Sequence, residues 1–99
     1  DSHEARVKLL RDAQVGDLIY IPGHVMMVIG HENGEPYIIH DTTGISFRGS
    51  GGDIERARLN GVSVTPLLPL LLSDGRPMID RVYSIQRIRI AGGPASRAP

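Results

Sequence analysis

Two of the four histidines in this chain stand where an imidazole could do chemistry. His24 follows Pro22-Gly23 and opens an apolar run, and His40 closes the next apolar run just before Asp41. Two imidazoles on neighbouring strand ends can form a general base and the group that orients it. Imidazole suits that work because its unperturbed pKa lies near neutrality. Two other roles stay open on the residues alone. Either histidine could be a satisfied structural residue, and His24, His40 and Asp41 are types that suit zinc, although no H-x-x-x-H spacing is present. His3 and His31, in an N-terminal helix and beside a hairpin turn, read as solvated. With no cysteine, these residues offer no thiol nucleophile, thiolate zinc site or disulfide. Ser46, Ser50 and Ser63 have no recognisable nucleophile setting.

The elements that would hold the two histidines are legible from periodicity and punctuation. Residues Ser2 to Arg11 read as a short amphipathic helix, with Ser2 as N-cap and Ala5 and Leu9, joined by Val7 and Leu10, on its apolar side. Asp17 to Ile21 reads as a strand ended by Pro22-Gly23. The next strand, about His24 to His31, turns His24, Met26, Val28 and Gly30 one way and Val25, Met27 and Ile29 the other. Both faces are apolar, so it belongs in the middle of a sheet. Asn33-Gly34 is a hairpin signal, and Pro36 to Asp41 follows as a third strand. Residues Thr42 to Ile54 read as a glycine-rich loop. Arg58 to Thr65 contains another strand, clearest at Val62-Ser63-Val64. Pro66 to Leu72 would lay leucines onto the core, Asp74-Gly75 would turn, and Asp80 to Ile90 would form a last, irregular strand. This predicts an α+β domain: a short N-terminal helix and about five mostly antiparallel strands.

Composition narrows the functions. The chain has 99 residues, enough for one small domain near the lower limit for an adequate core. Residues 1–90 read as that domain, and residues 91–99 read as a disordered tail of Gly, Pro, Ala and Ser with no core residue. Eleven basic residues match eleven acidic ones, which argues against a nucleic-acid partner. No apolar run is long enough to suggest a membrane span, and no cofactor is implied. Asp1, not Met, comes first, which suggests a truncated or processed chain.

Hairpin register decides whether the histidines can cooperate, because a one-residue slip moves every side chain to the opposite face. A two-residue turn at Asn33-Gly34 pairs Glu32 with Glu35 and, carried along a regular ladder, sets His40 opposite Met27, away from the His24 face. A three-residue loop, Glu32 to Gly34, pairs His31 with Glu35 and sets His40 opposite Met26. The imidazoles then share a face on a diagonal of roughly 7–8 Å. The expectation is therefore the three-residue loop, with Gly34 at positive φ.

The run Gly16-Asp17-Leu18-Ile19-Tyr20-Ile21-Pro22-Gly23-His24-Val25-Met26-Met27-Val28-Ile29-Gly30 resembles the signature of the NlpC/P60 cysteine peptidases. In that family a G-D-L step leads into a strand and a G-H-V step presents the catalytic histidine. Tyr37-Ile38-Ile39-His40-Asp41 resembles the following strand, whose final histidine is the third catalytic residue. Val62-Ser63-Val64 and Ile79-Asp80-Arg81-Val82-Tyr83-Ser84-Ile85 resemble the end of the bacterial SH3-linked branch, so the likeness reaches about Ile90. The resemblance implies the sheet half of a papain-like fold, with His24 as general base and His40 orienting it. It also implies a peptidoglycan stem-peptide substrate, cut between D-Glu and a diamino acid, and a place in the cell envelope, periplasmic or secreted. The family's nucleophile is a cysteine in an upstream D-C-S-G segment, which this chain lacks. The chain alone is therefore expected to be inactive and to need a missing N-terminal half of the same domain as its partner. A non-catalytic cell-wall binding module and a small metal-dependent hydrolase remain as alternatives.

Overall fold

The structure, a computed structural model, describes residues 2–88. Helix α1 (His3–Arg11) starts as expected: the Ser2 hydroxyl accepts the Ala5 amide at 3.1 Å. Glu4 in its first turn and Lys8 and Arg11 in its last suit the helix dipole. Its buried side differs from the expected one. Leu10 is buried and Val7 half-buried, whereas Ala5 is exposed and Leu9 is 60% exposed. Val7 and Leu10 pack on the core, and on the same side the Arg6 guanidinium donates to the carbonyls of Val82 and Ile79.

Five strands make the main sheet: β1 (Leu18–Ile21), β2 (His24–Glu32), β3 (Glu35–Asp41), β6 (Val62–Pro66) and β8 (Ser84–Gln86). Their order is β6-β3-β2-β1-β8, every pair is antiparallel, and β2 is central as its two apolar faces require. The fold is α+β, with one short helix and mainly antiparallel sheet.

A second, three-stranded sheet was not expected. The segment read as a loop contains β4 (Gly44–Arg48), which forms a hairpin with β5 (Ile54–Arg58) and pairs on its other side with β7 (Leu70–Leu71). Glu55, Arg56 and Arg58 hide β5, and in β4 the alternation of Ile45 and Phe47 with Gly44, Ser46 and Arg48 is short and lies among glycines. The glycines cluster only in the connection, around Gly49 to Gly52. The last expected strand also contracts. A 3-10 turn at Met78–Arg81 buries Ile79, and among the described residues only Ser84–Gln86 extends against β1. The leucine run behaves as expected, with Leu67 and Leu70 fully buried. The tail at 91–99 lies outside the described residues.

The core fills the space between one face of the main sheet and the other elements. Ile19, Ile21, Met26, Val28 and Ile38 project from the sheet and meet Leu10, Ala13, Leu67, Leu70, Ile79 and Val82. The opposite face of the sheet is also apolar but stays in contact with solvent. Val25, Met27 and Ile29 of β2 are 47%, 37% and 39% exposed, and Val62 and Val64 of the edge strand β6 are 65% and 53% exposed. No helix among the described residues is long and apolar enough to cross a membrane.

Apolar patches of this kind drive association when left in water. The isolated 99-residue chain is expected to sediment as a dimer or larger species at micromolar concentration. Replacing Val25 and Met27 with Ser and Gln should shift it toward monomer. A wild-type chain that remains strictly monomeric across the concentration range of a sedimentation experiment would contradict this.

Candidate functional site

The site depends on how β2 meets β3. Asn33 and Gly34 both have positive φ, 53° and 81°. That is the type I′ signature that an Asn-Gly pair favours, and Glu32 pairs directly with Glu35. The expected three-residue loop is therefore not formed, although Gly34 does take positive φ. A regular ladder from this two-residue turn would separate the histidines. It is not regular: Gly30 pairs with Tyr37, but Val28 pairs with Ile38 and Met27 with Ile39, leaving Ile29 as an extra residue in a β-bulge. The bulge makes the correction that the longer loop was expected to make. Beyond it, His40 lies across from Met26, on the face that carries His24.

The two imidazoles meet at the rim of the core layer. His24 Nε2 lies 3.4 Å from His40 Nδ1, with ring centroids 5.6 Å apart and planes at 63°. His24 is half-buried and His40 is buried at 4% exposure. The far nitrogen of His40, Nε2, is 2.9 Å from the Thr65 hydroxyl on β6. Burial pushes the His40 pKa below its ordinary value, and the neighbouring His24 pushes it the same way. Since Nε2 of His24 is taken up by His40, Nδ1 is the nitrogen left for a reactant. His24 opens onto a shallow cleft bordered by Tyr20, Ile21, Gly23, Asp41 and Tyr83. Such a pair can accept a proton at its exposed end while the inner imidazole fixes the ring.

Other candidates fall elsewhere. His31 is exposed. His3 is not simply solvated, because its Nδ1 lies 2.7 Å from Asp80 Oδ1. Among the described residues no three His, Asp or Glu side chains converge as a metal-binding set, so Asp41 does not complete one with the histidines. A larger hollow of about 900 Å³ lies between α1 and β8, lined by Leu9, Leu10, Ala13, Val82 and Ile85, and does not reach either catalytic candidate.

Two polar residues that sequence reasoning passed over matter here. Thr65 was read only as the end of a strand. Its signal was its place two residues beyond Ser63, at alternating positions that turn polar groups inward. Asp17 is legible as the start of a strand and as part of the G-D-L step, but not as a buried ionic partner. It is 2% exposed, accepts the Gln14 amide at 2.8 Å, and receives Arg87 Nε and Nη2 at 3.1 and 3.3 Å. Burial alone would raise its pKa, but the Arg87 hydrogen bonds, the Gln14 amide and the Arg87 charge together hold it below the usual value. This ion pair ties the start of β1 to the segment after β8, at the far end of β1 from His24.

No family model, curated protein or solved structure matches the chain.

The titrations give a signed expectation. An unfolded histidine takes a proton near pH 6.5, whereas His40 in the folded protein resists until lower pH. The unfolded state therefore binds more protons in that window, and stability falls as pH drops through and below about 6.5. Asp17, also depressed, adds a second loss below about pH 4. Urea midpoints should fall between neutral pH and about pH 5, and His40→Asn should flatten that decline. Equal slopes for variant and wild type would assign the effect to other groups.

Proposed function

We propose that this chain is the histidine-bearing half of a cysteine-peptidase domain of the NlpC/P60 type. In this reading it acts on peptidoglycan stem peptides, at the bond from D-Glu to a diamino acid, in the cell envelope. The observation that carries the reading is the imidazole pair. His24 Nε2 sits 3.4 Å from His40 Nδ1 at the ends of adjacent strands, and His24 Nδ1 is left for a reactant. The order of the G-D-L, G-H-V and strand-ending histidine motifs supports it independently.

The chemistry follows from which nitrogen is available. A cysteine supplied by a helical half outside these 99 residues would give its thiol proton to His24 Nδ1. Its sulfur would keep the electron pair and attack the scissile carbonyl carbon. The imidazolium would then return the proton to the leaving amine, and water would release the acyl group by the reverse proton path. His40 fixes the His24 ring and stays neutral, because its burial disfavours the charged form. The tyrosines and Asp41 that border the cleft would face the substrate near the scissile bond.

The test is hydrolysis of purified muropeptides by the complete polypeptide, followed by chromatography. Clean cleavage is expected to fall by about 10⁴-fold or more in His24→Ala and by a smaller factor, about 10²-fold, in His40→Ala. The 99-residue chain alone, with no cysteine, should release no free diamino-acid amine. Cleavage indifferent to His24→Ala would sink the reading. Binding of muropeptide without any cleavage would replace the enzyme by a binding module.

A further inference from the structure

The imidazole pair has a third member whose place in the fold calls for a reason. On β6, Ile38 pairs with Thr65 and His40 pairs with Ser63, so Ser63 and Thr65 share the inner face with His40. The valines at 62 and 64 face solvent instead. This strand turns its hydroxyls inward and its apolar groups outward, against the usual preference. Ser63 is turned away, its Oγ donating to the Gly61 carbonyl at 3.4 Å. Thr65, at 6% exposure, holds its Oγ1 2.9 Å from His40 Nε2.

A neutral imidazole has one N–H and one lone pair. A row of hydroxyl, imidazole and imidazole joined by two hydrogen bonds therefore has only two polarities. In one, the Thr65 hydroxyl donates to His40 Nε2, His40 Nδ1–H donates to His24 Nε2, and His24 presents Nδ1–H to the cleft. In that state His24 has no lone pair there and cannot take a proton. In the other, His40 Nε2–H donates to Thr65 Oγ1, His40 Nδ1 accepts from His24 Nε2–H, and the His24 Nδ1 lone pair faces the cleft.

We propose that Thr65 is a positioning residue that accepts from His40 Nε2–H and so holds both imidazoles in their Nε2–H tautomers. The proposal rests on the reading of His24 as a base, which needs the second polarity. In that polarity a proton arriving from a thiol bonds to Nδ1, the sulfur keeps its electron pair, and no other hydrogen has to move. The His24 Nε2–H to His40 Nδ1 bond survives the step and strengthens, since its donor becomes charged. In the first polarity the added proton would have no free nitrogen at the cleft.

The tautomers can be read directly by two-bond ¹H–¹⁵N correlation on the labelled 99-residue chain, above the imidazole titration range. His24→Gln and His40→Gln would assign the signals. The expected result is a protonated Nε2 and a bare Nδ1 for both residues, unchanged in Thr65→Ser. In Thr65→Val, with the backbone amide spectrum preserved, His40 should shift to a mixture of tautomers and His24 should follow. A protonated Nδ1 on His40 in the wild type or in Thr65→Ser would overturn the proposal, whether or not Thr65→Val folds. So would a single Nε2–H tautomer persisting in folded Thr65→Val. None of these readouts needs peptidase activity. Muropeptide inertness of the complete polypeptide would remove the catalytic reading and leave the tautomer assignment standing, and the wrong tautomer in an active enzyme would do the reverse.

Discussion

The pairing of β2 with β3 governs where His24 and His40 go. An Asn-Gly turn fixes one end of that ladder, because both residues adopt the left-handed backbone that matches the twist of the strands. A uniform ladder from that end would send His40 to the wrong side. The extra residue at Ile29 changes the pairing by one step, and the same correction serves the core, bringing Val28 and Ile38 together on the inner face. A core that seats Met26, Val28 and Ile38 and a rim that seats His24 and His40 are thus one solution, not two. Losing that register would cost packing and chemistry together.

The polar groups inside the domain sit where that solution leaves room for them. Asp17, His40, Ser46 and Thr65 are buried, and among the described residues no buried side-chain nitrogen or oxygen lacks a partner. An unpaired polar group in such a small core would cost a sizeable share of the 5–15 kcal/mol typical of a domain. Asp17 and His40 are tolerated because neighbours answer them: Arg87 and Gln14 for Asp17, His24 and Thr65 for His40. The two imidazoles are not equivalent. Burial and the neighbouring imidazole push the pKa of the buried one below its ordinary value, and the half-buried one lies beside the cleft.

Much of this was legible in the residues, but unevenly. The helix start, the central place of β2, the hairpin position and the role of Leu67 and Leu70 each follow from local signals, namely a capping serine, two apolar faces, Asn-Gly and a broken leucine run. His24 and His40 could be chosen as a pair because strand ends are recognisable. Their shared face was expected for the wrong reason. A bulge leaves no mark in hydrophobic periodicity, so the longer loop looked like the only way to bring Met26 opposite His40. The β4–β5 hairpin escapes notice because β5 is mostly charged and the glycines around β4 outweigh the short alternation of Ile45 and Phe47. Thr65 was missed because β6 inverts the rule by which strands are read: Val62 and Val64 look like the buried side and are the exposed one. That inversion depends on what lies across the sheet, which no single strand can report.

Early and late segments of the described residues hold each other. Arg6 reaches the carbonyls of Val82 and Ile79, β1 is flanked by β8, and the Asp17 carboxylate meets Arg87 across 70 residues of sequence. A ribosome adds roughly 5–20 residues per second, so β1 waits on the order of several seconds for its outer neighbour. During that interval β1, β2 and β3 can pair as a meander, but the Asp17 carboxylate has no guanidinium and β1 presents an open edge. Contacts so distant in sequence also form slowly once available. These contacts therefore form only after most of the described residues have been synthesised. Until they form, the chain's most reactive feature is an unpaired strand, the form in which nascent β-proteins are most exposed to mispairing with one another.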